Sequence, residues 1–332
     1  MTRPAPLLDV RDLSVRFRTP GGLLTAVDRL SFSVAPGETL AIVGESGCGK
    51  SVTAMSLLRL LKSPPAEISG GHVRFDGRDL LTLPERAMRD IRGNRIAMIF
   101  QDPLSALNPV QTVGEQIVES LRRHAGLSRA AARRRAVELL DLVRIPEPQR
   151  RADDYPHRFS GGMRQRVMIA IAIAVNPALL IADEPTTALD VTVQAQILKL
   201  LVSLQKAFGM SLVLISHDLG VVAETADRVL VMYAGRKVEE RQVADLFAAP
   251  LHPYTRALMR ARPTPGVVRE FLDEIPGIVP SLADLPPGCA FAPRCAQVSE
   301  ACTVRPPGLV SATDGGLVAC IHPGAGMAGA AA

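Results

Sequence analysis

The sequence lacks any apolar stretch long enough to cross a bilayer. The nearest candidate, residues 168–182, is interrupted by Asn176-Pro177 and falls short of the roughly 18–20 apolar residues that a spanning helix needs. The first ten residues also lack the apolar region and the cleavage site of a secretory signal peptide. We therefore expect a cytosolic protein, with any membrane role being peripheral and dependent on a partner.

A strong charge of either sign is also missing. The 38 basic and 33 acidic side chains leave a formal charge of +5 over 332 residues. This weak basic balance permits a nucleic acid or a membrane surface as a partner without requiring either. Hydrophobic residues at 47% and charged residues at 21% are typical of a globular chain. The length suits one large α/β domain with an extension, or two modest domains.

Short apolar segments alternate with helical patterns along most of the chain. Strands are predicted at residues 8–17, 30–34, 39–43, 95–100, 179–183, 211–216 and 228–233, with a hairpin at 70–80. Helices are predicted at residues 52–61, 160–175 and 192–208. This alternation predicts an α/β fold with a mainly parallel sheet.

A helical region interrupts this alternation. Residues 113–143 are rich in Ala, Arg and Leu, and Ser128 is a candidate N-cap within them. Because the region lies between two sheet segments, we predict an inserted helical subdomain at about residues 102–175. A run of basic residues could form a binding patch, but a solvated helix face is the simpler interpretation. These residues are Arg129, Arg133, Arg134 and Arg135.

The composition changes after about residue 246, where proline and glycine become frequent. We therefore divide the chain into a domain at residues 1–245 and a C-terminal extension at residues 246–332 with little regular structure. The small residues from Gly324 onward are expected to be disordered.

A phosphate-binding pattern follows the predicted strand at residues 39–43. Its residues match G-x-x-x-x-G-K-[ST] in full: Gly44, Glu45, Ser46, Gly47, Cys48, Gly49, Lys50 and Ser51. Glycines allow backbone N–H groups to surround phosphates, Lys50 neutralises β/γ-phosphate charge, and the Ser51 hydroxyl binds Mg²⁺. The strand before the loop and the helix after it argue against a chance glycine-rich turn. Cys48 is interpreted as a small side chain that the loop tolerates.

Two adjacent carboxylates follow the apolar strand at residues 179–183. Asp183 stands at the end of the strand, where it can hold Mg²⁺ through water, and Glu184 can orient or deprotonate an attacking water. Adjacent carboxylates are often plain surface charge. Their place directly after a buried strand, in a chain with a phosphate loop, indicates a catalytic pair instead.

The order of the motifs along the chain points to one family. Four segments follow the phosphate loop, at residues 100–103, 159–163, 183–190 and 215–218. They resemble the Q-loop, the signature motif, the Walker B segment with its D-loop, and the switch-histidine segment of ABC-type ATPases. The resemblance covers roughly residues 7–245. It implies an ABC-type ATPase domain of the P-loop NTPase fold that binds ATP and Mg²⁺.

The resemblance also implies a head-to-tail dimer that holds ATP between two such subunits. Ser160, Gly161 and Gly162 would then contact the partner's ATP from a helix N-terminus. Phe159 and Met163 depart from the commonest form of the signature. We expect no loss of function, because the serine and both glycines are kept.

The matching positions imply the other roles. Glu184 and His217 would be the catalytic residues, with His217 coupling the γ-phosphate to Glu184. Gln101 would contact Mg²⁺ and sense the transport partner. Phe17 would stack on adenine, although a strand phenylalanine is as often a core residue. The remaining predicted ATP contacts are Val52 and Asp190.

Further segments resemble the ATPases of oligopeptide/dipeptide importers, and in particular their D-type subunit. They are residues 159–168, 190–196, 251–255, 275–281 and 288–295. The resemblance implies two transmembrane permease subunits, a homologous F-type ATPase as the partner in a heterodimer, and an extracytoplasmic peptide-binding protein. It places the chain on the cytoplasmic face of the cell membrane, with di- or oligopeptides as substrates and no nucleic acid partner.

Three alternatives stay open. Nickel and glutathione importers share much of the same pattern. A soluble ABC ATPase that acts on DNA or ribosomes usually carries tandem ATPase units or long coiled coils, whereas this chain has one phosphate loop and no sustained heptads. The cysteines suggest the third, a nucleotide-gated metal or redox sensor.

Four of the five cysteines lie in the extension, with the spacing C-x5-C-x6-C-x17-C: Cys289, Cys295, Cys302 and Cys320. In a reducing cytosol such a group favours metal binding over disulfides. The spacing matches neither the usual zinc pairs nor the common ferredoxin patterns. The family resemblance implies a [4Fe–4S] cluster, with Zn²⁺ as the alternative and a structural role preferred over redox sensing. His322 is predicted to be a bystander rather than a ligand.

Overall fold

The computed structural model describes residues 5–187, 189–261 and 274–324, so the disorder expected at the C-terminal end falls almost entirely outside the described residues. The chain divides into two compact units. The first contains residues 34–39 and 79–215, with the segment before Leu8. The second contains residues 8–33, 40–78 and those from 216 onward.

Strands occur in both units. In chain order they are β1 (Leu8–Thr19), β2 (Gly22–Val34), β3 (Thr39–Val43), β4 (Ala66–Phe75), β5 (Arg78–Asp79), β6 (Ile96–Ile99), β7 (Leu179–Asp183), β8 (Ser211–Ile215), β9 (Arg228–Tyr233), β10 (Arg236–Gln242), β11 (Val310–Ser311) and β12 (Leu317–Val318).

Twelve helices lie among these strands in the described residues, and five of them follow one another between β6 and β7. They are α1 (Lys50–Leu57), α2 (Glu85–Ile91), α3 (Pro103–Ala106), α4 (Val113–Ala125), α5 (Arg129–Leu142), α6 (Pro148–Arg151), α7 (Gly161–Ile173), α8 (Val191–Phe208), α9 (Leu219–Thr225), α10 (Val243–Ala248), α11 (Pro253–Arg260) and α12 (Ala301–Val304). Short 3₁₀ turns lie at Pro156–Arg158 and Ala292–Arg294. Among the described residues, no helix combines the length and the apolarity needed to cross a membrane.

The first unit contains three parallel strands, as the alternation predicts. β7 pairs with β6 and with β8, and Leu179 of β7 lies opposite both Ile96 and Ser211. Every residue of β7 and β8 is buried, which is typical of parallel strands covered on both faces. β7 ends at Asp183, so the sheet places this carboxylate at its carboxyl edge, where such sheets bind ligands.

The helical region predicted at residues 113–143 consists of two helices. α4 ends because Gly126 adopts a left-handed conformation with φ 64°, which glycine accepts without strain. Ser128 then caps α5 as predicted, and its hydroxyl accepts the N–H of Ala131 at 3.3 Å. Arg129 on α5 forms an exposed ion pair with Glu115. This pairing supports the interpretation of the basic run as a solvated helix face.

The second unit contains two sheets. One has the strand order β2-β1-β4-β5, with Leu8 opposite Phe75 and Phe17 opposite Ala66 in the antiparallel β1–β4 pair. In the other, β3 and β9 are parallel, whereas β9-β10-β12-β11 are antiparallel neighbours. The sequence patterns predict β3 and β9, but they do not predict β10.

The extension has more regular structure than its composition predicts. β12 pairs with Glu239 and Glu240 of β10, and α10, α11 and α12 add short helices. Tyr254 and Phe291 pack on Tyr233 of β9, with ring centroids 4.6 and 5.3 Å apart. These contacts join the extension to the core of the second unit. Because the partners are distant in sequence, no local pattern signals them.

Candidate functional site

Residues 44–51 link β3 to α1 in a loop that requires glycine at two points. Gly44 has φ 154°, and a Cβ there would lie 2.3 Å from the carbonyl oxygen of Met232. Gly49 has φ 99°, and a Cβ there would lie 2.5 Å from the carbonyl oxygen of Ala26. Both positions therefore exclude a side chain, as a backbone cradle for phosphates requires.

Lys50 places its ammonium group inside this loop. The side chain is buried, and Nζ donates to the carbonyl oxygens of Gly44 at 2.8 Å and Glu45 at 3.1 Å. Because α1 begins at Lys50, the positive N-terminus of the helix lies at the same place and also favours an anion. The helix ends at Leu57 rather than near residue 61, since Arg59 is left-handed with φ 52°.

Cys48 is buried within the loop, with 1% of its surface exposed. Burial raises the pKa of its thiol, which keeps the group protonated and unreactive. This environment supports the interpretation of Cys48 as a small side chain that fits the loop.

Glu184 meets two polar side chains in the first unit. Its Oε2 accepts from Gln101 Nε2 at 3.3 Å and from Thr187 Oγ1 at 3.0 Å. Its backbone is left-handed with φ 45°, a conformation that is costly for a glutamate and typical of functional sites. The structure thus brings together Gln101 and Glu184, which are 83 residues apart. Thr187 is a site residue that motif reasoning missed, although it lies inside the segment at residues 183–190.

The signature segment forms the start of α7. Ser160 caps this helix, and its hydroxyl accepts the N–H of Met163 at 3.3 Å. Ser160 and Gly161 are exposed, so the helix N-terminus is open to solvent. A Cβ on Gly162 would lie 2.7 Å from Cγ1 of Val193, which explains the need for glycine there.

The remaining predicted contacts lie in different environments. His217 is exposed and follows the buried Ser216. Phe17 on β1 is half-buried, and Val52 on α1 is also half-buried. Asp190 is exposed and caps α8, because its Oδ1 accepts the N–H of Val193 at 2.9 Å. A structural role therefore accompanies any nucleotide contact that Asp190 makes.

The four cysteines of the extension line one small cavity of about 20 Å³. All four are free thiols. Burial and the neighbouring thiols raise the pKa values of Cys289 and Cys320. A raised pKa keeps both thiols protonated unless a cation compensates the charge of the thiolates.

The cavity is not arranged for a single metal ion. In residues 5–187, 189–261 and 274–324, no three His, Cys, Asp or Glu side chains are placed to hold one. A structural zinc site needs four ligands at about 2.0–2.3 Å from one point. His322 also lines the cavity, but its Nε2 is hydrogen-bonded to Ser299 Oγ at 2.8 Å. This hydrogen bond engages one of the two ring nitrogens, and the bystander role of His322 stays a prediction.

Comparison with known proteins relates both parts of the chain to transporters. A family model described as ABC transporter matches residues 27–187. A second, described as Oligopeptide/dipeptide transporter, C-terminal region, matches residues 238–302. A putative peptide import ATP-binding protein of Brucella abortus is 56% identical over 318 residues, which are 96% of this chain and 95% of that protein. The chain belongs to the ABC transporter family.

Further relatives of this ABC transporter protein agree with the assignment. A probable peptide ABC transporter ATP-binding protein of Sinorhizobium fredii is 56% identical over 315 residues, covering 95% of this chain and 94% of that protein. The solved ATP-binding cassette MJ0796, a dimer bound to ADP and Pi in a post-hydrolysis state, has a TM-score of 0.64 and 29% identity. The match covers 71% of this chain and 98% of the MJ0796 chain. The predicted ABC-type ATPase fold is therefore confirmed, and the chain is an ABC-type ATPase.

Proposed function

We propose that this ABC ATPase is the motor subunit of an importer that carries di- or oligopeptides through separate permease subunits. One observation carries the proposal: an ABC transporter match and the C-terminal region of oligopeptide/dipeptide transporters occur in a single chain. Relatives described as peptide import ATP-binding proteins match nearly the full length of the chain. Nickel or glutathione import is the second candidate, since these importers resemble the same segments.

The phosphate loop binds ATP in this proposal. Its backbone N–H groups surround the phosphates, and the Lys50 ammonium leaves the carbonyls of its own loop to neutralise β/γ-phosphate charge. Ser51, Gln101 and Asp183 hold Mg²⁺, which offsets the charge that develops on the transferred phosphoryl group. The burial of Lys50 and Asp183 supports these roles, because electrostatic interactions are stronger away from water.

Glu184 is the general base that orients and deprotonates the attacking water. The hydrogen bonds from Gln101 and Thr187 hold its carboxylate in one orientation, which favours a productive geometry. Because Gln101 contacts Glu184 directly, a shift of the Q-loop would move the base. A permease that moves the Q-loop would therefore change the position of Glu184 and, with it, the rate of hydrolysis. His217 contacts the γ-phosphate.

The nucleotide also contacts residues outside the phosphate loop. Phe17 stacks on adenine, and Val52 and Asp190 complete the contacts in this proposal. The open N-terminus of α7 at Ser160 and Gly161 serves the ATP of a partner ATPase, an F-type homologue placed head to tail. Its exposure supports this role, since a helix N-terminus with free N–H groups attracts an anion from outside the chain.

The complete importer contains two permease subunits, the second ATPase and an extracytoplasmic peptide-binding protein, with this chain on the cytoplasmic face of the membrane. To test this, the tagged full chain is purified from detergent-solubilised membranes and the co-purifying proteins are identified by mass spectrometry. We expect all four partners, and ATP turnover of the complex in proteoliposomes that rises with the peptide-loaded binding protein. Ribosomal proteins or DNA-repair factors in place of the permeases would contradict the importer and favour a soluble ATPase.

The cysteine cavity holds a [4Fe–4S] cluster in this proposal. Four thiols around one cavity, with no carboxylate among its lining residues, fit iron–sulfur chemistry. The cluster's positive charge would stabilise the thiolates and tie distant parts of the extension together.

Anaerobic purification tests this assignment. We expect about four irons and four labile sulfides per chain, with the broad visible absorption of such clusters. Cys302→Ser, at a buried ligand position, should lose most of the iron and the absorption. Cys48→Ser changes a buried thiol outside the cavity and should retain both. Zinc in the wild-type protein, or no metal at all, would contradict the cluster.

A further inference from the structure

Glu45, the second residue of the phosphate loop, forms a bidentate ion pair with the extension. Arg294 Nη1 lies 2.8 Å from Glu45 Oε2, and Arg294 Nη2 lies 3.1 Å from Glu45 Oε1. The Arg294 side chain is 4% exposed and the Glu45 side chain 25% exposed, so water screens the pair weakly. The two residues are 249 positions apart, and no motif includes both.

Arg294 is itself held rigidly. Its Nε donates to the carbonyl oxygen of Pro276 at 2.8 Å, and Nη2 donates to that of Ile275 at 3.2 Å. The guanidinium carbon lies 6.0 Å from the ring centroid of Tyr233 and 5.9 Å from that of Phe291. Contacts on its edges and near two aromatic rings fix the plane of the guanidinium group, so it presents a fixed fork to Glu45.

Tyr254 holds the backbone of the same residue. Its side chain is fully buried, and its hydroxyl oxygen accepts the N–H of Glu45 at 2.8 Å. Tyr254 packs on Tyr233 and Phe291, the two rings beside Arg294. The extension therefore contacts Glu45 through an ion pair to its side chain and a hydrogen bond to its backbone.

Glu45 also contacts the phosphate-binding lysine. Its carbonyl oxygen accepts from Lys50 Nζ at 3.1 Å and from the N–H of Cys48 at 3.3 Å. Any movement of the Glu45 peptide therefore alters the position of the ammonium and the loop N–H groups around it. A chain of direct contacts leads from Arg294 and Tyr254 to the groups that would bind phosphate.

We propose that Arg294 and Tyr254 are positioning residues for ATP binding, through which the C-terminal extension holds the phosphate loop in its binding conformation. The inference rests on the proposed ATP-binding role of this loop. A loop that is already ordered before ATP arrives loses less conformational entropy on binding. Arg294 and Tyr254 therefore affect nucleotide affinity more than the hydrolysis step, which depends on Glu184.

Affinity measurements on the purified full chain test the proposal. A fluorescent ATP analogue is titrated into the wild type, Arg294→Gln, Glu45→Gln and the double variant. We expect each single change to weaken affinity about tenfold, within the usual range for coupled sites. The double variant should bind the analogue about as tightly as the single variant with the lower affinity, because both changes remove the same interaction. KM for ATP should rise with kcat nearly unchanged.

Two further variants separate positioning from folding. Arg294→Lys keeps the charge but loses the planar fork, so affinity should recover only in part. Tyr254→Phe keeps the packing but removes the oxygen that accepts the Glu45 N–H, and it should also weaken affinity. A loss confined to thermal stability in these variants would contradict a positioning role.

Arg241 provides the matched control. Like Arg294 it is a buried arginine that connects the extension to the rest of the second unit, and it pairs with Asp314 rather than with the phosphate loop. Arg241→Gln, and the milder Asp314→Asn, should lower thermal stability but leave nucleotide affinity unchanged. Unchanged affinity in Arg294→Gln, additive losses in the double variant, or an equal loss in the controls would overturn the proposal. Failure of the wild-type chain to bind ATP would instead refute the proposed function.

Discussion

Replacing Glu184 with Gln should nearly abolish ATP turnover while ATP still binds. The carboxamide keeps the size of the side chain and can still form hydrogen bonds to Gln101 and Thr187, but it cannot take a proton from water. General bases typically contribute about 100- to 10,000-fold, so kcat should fall by that factor. Steady-state phosphate release measures kcat, and equilibrium titration with the fluorescent ATP analogue measures binding.

Glu138→Gln provides the control for this substitution, because it makes the same chemical change on the exposed face of α5. Its turnover should match that of the wild type. ATP should also trap the Glu184→Gln chain in a closed dimer with the proposed partner ATPase, visible by gel filtration. Near-normal turnover of Glu184→Gln would assign the base to another residue.

Replacing Lys50 with Ala should remove nucleotide binding itself. The change deletes the ammonium proposed to neutralise β/γ-phosphate charge, and it leaves the carbonyls of Gly44 and Glu45 without their buried donor. Hydrogen bonds to charged groups contribute about 1.5–3 kcal/mol each, so we expect affinity to fall at least about 100-fold. The same titration measures this loss.

Lys237→Ala is the matched control for Lys50→Ala. Lys237 is also buried, but it donates to the carbonyl oxygen of Ser31 and pairs with Glu240 rather than entering the phosphate loop. This variant should lose stability without losing ATP affinity. If a folded Lys50→Ala chain binds ATP as tightly as the wild type, the loop is not part of the nucleotide site.

The phosphate loop could be predicted from sequence because its groups are contiguous. Glycines that tolerate a positive φ, a lysine and a hydroxyl follow one another between a strand and a helix, so spacing alone defines the chemistry. The caps at Ser128 and Ser160 could also be recognised, since a cap bonds to residues only three positions away. Features of this kind are local, and local patterns encode them.

The contacts between Arg294, Tyr254 and Glu45 could not be predicted in this way. Their partners lie more than two hundred positions apart, and a single sequence does not indicate which buried arginine meets which carboxylate. Arg294 and Tyr254 do fall within the segments at residues 288–295 and 251–255 that resemble importer ATPases. That resemblance singled out the two segments but gave no indication that they contact Glu45.

Strand pairing in the extension escaped prediction for a related reason. β11 and β12 are two residues long each, too short to show an alternating pattern, and proline-rich flanks resemble loops. The break after α4, by contrast, carried two local signals, Gly126 at its end and the predicted cap at Ser128. The four cysteines of the extension could be recognised from the sequence as candidate metal ligands. Their shared cavity could not be predicted, because it depends on how the whole extension folds.

The pairing of β12 with β10 also protects the protein from self-association. Without β12, β10 would become an edge strand whose unpaired N–H and C=O groups can recruit a strand from another molecule. Arg241 would lose Asp314 at the same time and leave a buried charge less well compensated. Residues 310–318 of the extension therefore cover this edge of the sheet, and the outermost strand, β11, is too short to template aggregation.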